Sequence, residues 1–464
     1  MKIFNFLFCI PFLFSFQLVA QHNIDGIWSG KIESNGSEIV IDIEIKSEKS
    51  QALISVPLQN ISDFKSTSFS TKGDTLDIRY SMFQAKYEGV YDEVTNTIIG
   101  QWIHRSATPL TFHKVDKKTT FDRPQMPKEP FEYDIQDVEI SNLKNGNVLA
   151  GTLSTPPGDG PHPLLILVTG SGPQTRDSEI IGHKPFWVLA DYLSSNGIAV
   201  LRYDDRGFGK STGNYRTATT ANFADDAEAV LEYTKTLSNI KSVGILGHSE
   251  GSMIAGMVAS RNKNVDFVIS MAGMGVPSTD VMTYQNAKIL AQSGMSKEGV
   301  ELTKKRLPGI YNIINQDKEP KMIFDTLISA VHGFYDELDP EDSKLLAQNK
   351  ASYYSQMSSA LFTPWFRYFL NLNPTEYWSK VTCPVLAIHG SEDIQVEAVS
   401  ATNGVKEALL LNGNENIQIK IFDGHNHLMQ PCESCTISEY GSISTTLAEE
   451  VMESIRDYSL SINE

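Results

Sequence analysis

From Asp25 to about Val115 the chain alternates apolar and polar positions in short runs. Ile39, Ile41, Ile43 and Ile45 interleave with Val40, Asp42, Glu44 and Lys46, a period of two that gives a strand one buried face. Leu76, Ile78 and Tyr80 repeat the pattern, as do Tyr87, Gly89 and Tyr91, with the turn residues Lys72-Gly73-Asp74 and Asn96 between runs. Residues 22–115 therefore predict a small antiparallel β-barrel or sandwich. The stretch Arg123-Pro124-Gln125-Met126-Pro127-Lys128-Glu129-Pro130 can sustain neither a helix nor a central strand, and a linker is expected over 116–135.

Beyond it, over 136–464, apolar runs alternate with helical patterns, which predicts an α/β domain. The runs Leu164–Val168, Ile198–Arg202, Val243–Leu246, Phe267–Met271, Val385–Ile388 and Ile417–Phe422 are mostly apolar throughout, as a parallel sheet covered on both faces requires. Between them Phe223, Ala227, Val230 and Leu231 recur at i, i+4, i+7 and i+8, one apolar stripe of a helix. The interval of about 276–378 breaks this rhythm. It is too long for a crossover and contains helix-like stretches such as Asp325–Tyr335, so an inserted helical cap is expected there.

Composition narrows the function. A chain of 464 residues implies two or three domains, and 41% hydrophobic with 20% charged residues excludes wholesale disorder and a multi-span membrane protein. The net charge of −17, with no basic run, would repel a polyanion, so nucleic acid is not the expected partner. At the N-terminus Lys2 precedes the apolar run Phe6–Val19, broken by Pro11 and followed by Gln21-His22-Asn23. This run is shorter than the about 18 residues of a spanning helix, and residues 1–20 are expected to be a cleaved secretory signal, leaving no membrane span and a secreted or periplasmic protein. Cleavage removes Cys9 and leaves Cys383, Cys432 and Cys435, an odd number in which Cys432 and Cys435 could close a short disulfide and Cys383 is expected to be buried and inert.

Two segments read Gly-x-Ser-x-Gly: Gly247-His248-Ser249-Glu250-Gly251 and Gly209-Lys210-Ser211-Thr212-Gly213. The pattern is cheap, so context decides. A nucleophilic serine needs a strained strand-to-helix turn whose next backbone N–H points at the reacting carbonyl oxygen. Ser249 has a strand-like run before it and a helix-like run of small residues after it, whereas Ser211 follows Asp204-Asp205-Arg206-Gly207-Phe208 and is expected to be structural. Gly209-Lys210-Ser211 is not a phosphate loop, because Asp204 stands where the first glycine would be required.

The serine needs a base, and the base needs a carboxylate that holds its tautomer. Asp393 follows one strand and is preferred to its neighbour Glu392 because the shorter carboxylate better suits a buried bond to imidazole. His425 and His427 follow another strand; His427 is favoured, and loop geometry must choose. The oxyanion would be held by the N–H of Glu250 and that of Ser171, with Gly172 as the alternative, from the loop Thr169-Gly170-Ser171-Gly172-Pro173. The side chain of Glu250 is expected to cap or solvate the elbow helix rather than bind an amine, and Trp365, Phe366, Tyr368, Phe369 and Trp378 to pack more than to line an acyl pocket. Arg202, Asp204, Asp205 and Arg206 are expected to stabilise their loop.

In their order these features, Thr169-Gly170-Ser171-Gly172, Asp204-x-Arg206-Gly207-x-Gly209-x-Ser211-x-Gly213, the Ser249 elbow, Gly390-x-x-Asp393-x-x-Val396 and Gly424-x-x-His427, resemble the alpha/beta-hydrolase family from about Val138 to Ser459. The chain looks like the secreted bacterial esterases related to serine aminopeptidases, although Thr169-Gly170 stands where many relatives carry His-Gly. The resemblance implies a mostly parallel doubly wound sheet with a helical cap and a serine esterase working through an acyl-enzyme on a small ester or short peptide, without metal or other cofactor. An aminopeptidase on the same triad and a non-catalytic binding protein are the alternatives.

Overall fold

The computed structural model describes residues 23–34, 37–57, 61–104, 106–120, 122–314, 319–346 and 363–462, which form two units, Met1–Thr120 and Phe121–Glu464. The expected signal at 1–20 lies outside the described residues.

Unit 1 is a nine-stranded antiparallel sheet: β1 (Gly26–Ser34), β2 (Ser37–Lys46), β3 (Gln51–Val56), β4 (Ile61–Lys65), β5 (Ser68–Lys72), β6 (Thr75–Tyr80), β7 (Ala85–Asp92), β8 (Thr97–His104) and β9 (Ser106–Val115). The hydrogen-bonded order is β4-β3-β2-β1-β9-β8-β7-β6-β5. The two end strands, β4 and β5, are joined by only two residues, so the sheet must curl round on itself. Ser66 in that connection closes the gap, its Oγ accepting from Ala52 N–H of β3 at 3.0 Å. Inward positions of the period-two pattern, among them Ile41, Ile43, Ile45, Leu76, Ile78 and Tyr87, fill the interior around Trp28. At its end Lys118 bonds Glu44, and Thr119 N–H donates to the buried Asp42 carboxylate at 2.6 Å.

Unit 2 opens with a docked segment. The Arg123 guanidinium donates to the carbonyls of Ile181, Gly441 and Ile443, and Gln125 Nε2 to that of Leu447. An eight-stranded sheet follows: β10 (Asp134–Asn142), β11 (Asn147–Thr155), β12 (His162–Val168), β13 (Ala199–Tyr203), β14 (Ile240–His248), β15 (Phe267–Met271), β16 (Val385–Gly390) and β17 (Ile417–Phe422), in the order β10-β11-β13-β12-β14-β15-β16-β17. β10 and β11 pair antiparallel and sequence patterning missed both, since they carry few apolar runs; from β13 to β17 every neighbouring pair is parallel.

Both faces are covered. On β12, Leu164, Ile166 and Val168 join one buried cluster with α2 (Thr220–Thr234) and α3 (Glu250–Arg261), while Leu165 and Leu167 join another with α1 (Pro185–Ser195) and the C-terminal helix Glu449–Ser461. Between β15 and β16 run the helices Ser278–Gln292, Lys297–Ile314, Pro320–Glu337, Pro340–Leu346, Pro364–Leu370 and Thr375–Trp378. Leu307, Ile310, Leu327, Val331 and Phe334 give the helices Lys297–Ile314 and Pro320–Glu337 a core of their own with Phe366 and Leu370. Trp378 is instead fully buried in the main sheet's core, against Gly256 of α3.

One topological fact positions the site. From β12 the chain goes to β13 on one side and then to β14 on the other, so the sheet changes direction between β12 and β14, and the loops leaving their C-terminal ends diverge over a crevice. Val168 pairs with Gly247 at that end.

Candidate active site

β14 runs to His248, α3 starts at Glu250, and Ser249 alone makes the turn, at φ 55° and ψ −119°. A non-glycine residue held there costs on the order of 1–3 kcal/mol and persists because its neighbours fix it. Ser249 N–H donates to Met271 O at 2.9 Å, and Ser249 O accepts from Ser252 N–H at 3.0 Å. The flanking glycines are needed for close approach: a Cβ on Gly247 would lie 2.0 Å from Gly251 O, and one on Gly251 would lie 2.3 Å from Val168 O.

Past β16, Asp393 is fully engaged. Its Oδ1 accepts from Gln395 N–H at 2.7 Å and Val396 N–H at 2.9 Å; its Oδ2 lies 2.6 Å from His427 Nδ1 and 3.1 Å from His389 Nε2. Burial pushes this carboxyl up, but the charge and hydrogen bonds of His427 and His389 outweigh it and hold Asp393 well below the usual carboxylate range. With Nδ1–H committed to an ionised carboxylate, neutral His427 carries its lone pair on Nε2, the form a general base needs.

The loop after β17 is fastened by a reciprocal pair. Asn426 Oδ1 accepts from Leu428 N–H and Gln430 N–H, and Asn426 Nδ2 donates to Gln430 Oε1 at 3.0 Å. His427 is thereby set against Asp393. His425 turns elsewhere, with Nδ1 2.7 Å from Asp423 O and Nε2 3.1 Å from Glu450 Oε1. Glu392 is exposed and Asp393 buried, so of the competing carboxylates and imidazoles the structure pairs Asp393 with His427.

The loop Thr169–Pro173 meets the elbow. A Cβ on Gly170 would stand 3.2 Å from Ser249 Cβ, and Gly172 has φ 96°. Asp205 clamps this loop from both ends, accepting from Thr169 Oγ1 at 2.9 Å and Gln174 N–H at 2.8 Å. The rest of its charge cluster is equally occupied: Asp204 takes Arg176, Arg206 takes Asp226 and Arg202 takes Asp177. Glu250 N–H opens α3 and has no intrahelical partner, as for any first helical residue.

Ser171, Gly172, Ser249, Glu250 and His427 all line one cavity of about 660 Å³, whose apolar wall includes Met274, Val281, Trp365, Phe366 and Phe369. Trp365 and Phe369 thus pack and line the cavity at once, the rings stacked 5.1 Å apart. Glu250 departs from expectation. Its side chain neither caps α3 nor meets solvent; it is 2% exposed, and Oε1 accepts from Thr220 Oγ1 at 2.7 Å and Trp365 Nε1 at 2.9 Å. Burial raises its pKa.

Sequence reading missed two histidines. His389 shares Asp393, a contact its i, i+4 spacing could have suggested. Buried His248, whose Nε2 is 3.0 Å from His427 O, is pushed down to about 4 by burial and is neutral; as the variable residue of the elbow it carried no signal. Cys432 and Cys435 are disulfide-bonded; Cys383 is half-buried rather than buried, and desolvation still pushes its thiol up to about 11.

A mostly parallel sheet whose winding changes direction at β12, a strained serine between β14 and α3, and an acid and a histidine beyond β16 and β17 give unit 2 the alpha/beta-hydrolase fold. Residues 186–329 match the family described as serine aminopeptidase, S33. The chain is 30% identical over 321 residues to esterase EstD of Thermotoga maritima, an alignment covering 68% of this chain and 65% of EstD. It is 22% identical over 265 residues to an uncharacterized 31.7 kDa protein of Escherichia coli, covering 55% of this chain and 81% of that one. The solved structure of Est1E from Butyrivibrio proteoclasticus aligns with a TM-score of 0.41 at 18% identity, covering 70% of this chain and 99% of that one.

Proposed function

We propose that the protein is a serine esterase that cleaves small carboxylic esters through an acyl-enzyme. The observation that carries this reading is the buried Asp393–His427 bond of 2.6 Å beside a cavity that Ser249 also lines. Ser249 Oγ attacks the ester carbonyl as His427 Nε2 takes its proton; Asp393 holds the imidazole and favours the imidazolium. The N–H groups of Glu250 and Ser171 receive the oxyanion. His427 then protonates the departing alkoxide, and water, deprotonated by the same histidine, attacks the acyl carbon and frees Ser249. Side chains, backbone N–H groups and water suffice for this cycle.

The helices between β15 and β16 act as the cap over the cavity, supplying Val281, Trp365, Phe366 and Phe369 to its apolar wall. Similarity to EstD supports the ester reading. The family description also raises a peptidase, but Oε1 of the carboxylate next to Ser249 already accepts from Thr220 and Trp365, which favours esters over substrates bearing a free ammonium. Residues 1–20 are proposed to direct export; no helix among the described residues is long and apolar enough to cross a membrane.

The test is hydrolysis of p-nitrophenyl esters alongside an aminoacyl anilide, with fluorophosphonate labelling of the wild type and of Ser249→Ala. Ester turnover and labelling that both vanish in the variant support the assignment. Labelling that persists in Ser249→Ala removes it.

A further inference from the structure

The Glu250 carboxylate draws together parts of the cavity that the chain brings from far apart. Its backbone is the first residue of α3, immediately after Ser249. Its Oε1 receives the hydroxyl of Thr220, the first residue of α2, and the indole N–H of Trp365, which belongs to the helix Pro364–Leu370. Trp365 is therefore fixed at two points, by its N–H on Glu250 and by its face on Phe369. It lines the cavity together with Ser249. A buried carboxyl keeps such donors, because losing one leaves a buried acceptor unsatisfied.

We propose that Glu250 and Trp365 form a carboxylate–indole latch that holds the Trp365 wall in the cavity and so limits the length of acyl chain the enzyme accepts. This rests on the serine esterase reading. Glu250 acts here through Trp365 as a positioning residue, in addition to the N–H it supplies to the oxyanion. Released from the carboxylate, the indole is held by apolar packing, on Phe366 and Phe369 among others, with no polar anchor, and can swing from the wall, lengthening the acyl site.

The experiment compares kcat/KM for p-nitrophenyl octanoate and p-nitrophenyl acetate in the full chain, with kcat and KM resolved separately. Trp365→Phe removes the donor and leaves a smaller aromatic ring; Glu250→Met removes the acceptor at similar volume and leaves the indole intact; Glu250→Gln keeps an oxygen for the indole N–H. The octanoate-to-acetate ratio should rise about tenfold in Trp365→Phe and Glu250→Met, mainly through KM, and rise no further in the double variant, because both changes break one bond. Glu250→Gln should keep the wild-type ratio. An unchanged ratio in Trp365→Phe, with the wild type active and Ser249→Ala inactive, overturns the latch and leaves the esterase reading standing; additive effects in the double variant also overturn it. Equal ester hydrolysis by wild type and Ser249→Ala instead removes the esterase reading, and the latch with it.

Discussion

The two Gly-x-Ser-x-Gly segments of this chain share a pattern and differ in everything around it. Ser249 ends a buried parallel strand at positive φ and lines a cavity. Ser211 is tied into a loop: its hydroxyl donates to Asp204 O at 2.7 Å and accepts from Ala150 N–H at 2.9 Å, so both of its roles are spent on backbone. The glycines differ as well. Gly247 and Gly251 let a strand and a helix touch, whereas Gly209 makes room for the Asp204 side chain, 2.5 Å from where a Cβ would sit. A pentapeptide acquires chemistry from the strand that delivers it and from what its hydroxyl is left free to do.

The contrast can be broken most directly at the serines. Ser249→Ala should lower ester turnover by at least about 10⁴-fold with the thermal midpoint nearly unchanged, as read by steady-state kinetics and calorimetry. Comparable residual activity in that variant and the wild type would merge the two motifs again. Asp393→Asn should follow at about 10³–10⁴-fold, with His427→Ala similar and His425→Ala within about tenfold, since His425 does not contact Asp393. Because the native Asp393 carboxyl lies below its unfolded value near 3.9, its stabilisation is complete above that pH and is lost as pH falls toward the native value. Asp393→Asn should therefore soften the acid limb of a melting-temperature profile.

Ser211→Ala should do the reverse of Ser249→Ala, costing about 1–3 kcal/mol in chemical denaturation through the stranded Ala150 N–H while turnover stays near wild type. The last prediction, a change in slope with pH, concerns Asp205. Burial raises this carboxyl to about 7 against its bonds from Gln174 and Thr169, so between about pH 4 and 7 the native state holds a proton that the unfolded chain has released. Stability should fall as pH rises through that window, and Asp205→Asn should flatten the slope. An equally steep profile in the variant would show that another group titrates there.

How far the primary structure could be read follows from the same physics. Leu164–Val168 and Phe267–Met271 were legible because a strand buried on both faces must be apolar throughout. β10, largely solvent-exposed with only Val138 and Ile140 turned inward beside Asn142, carried no such run, and β11 escaped for its Gly, Ser and Thr. The placement of Ser249, Asp393 and His427 at strand ends was legible because each follows a readable strand; which of His425 and His427 meets Asp393 depends on the Asn426–Gln430 pairing, which spacing does not encode. Glu250 was misjudged because its partner Trp365 lies 115 positions away, and a contact over that separation leaves no local trace.

The segment beginning at Arg123 has a practical meaning for anyone dissecting the protein. Its guanidinium and the Gln125 amide satisfy carbonyls of Ile181, Gly441, Ile443 and Leu447, the last three just beyond the loop that carries His427. A shortened polypeptide starting after Pro130 would strand those oxygens and loosen the segment that follows the His427 loop, so the minimal autonomous unit has to keep residues whose composition marks them as dispensable.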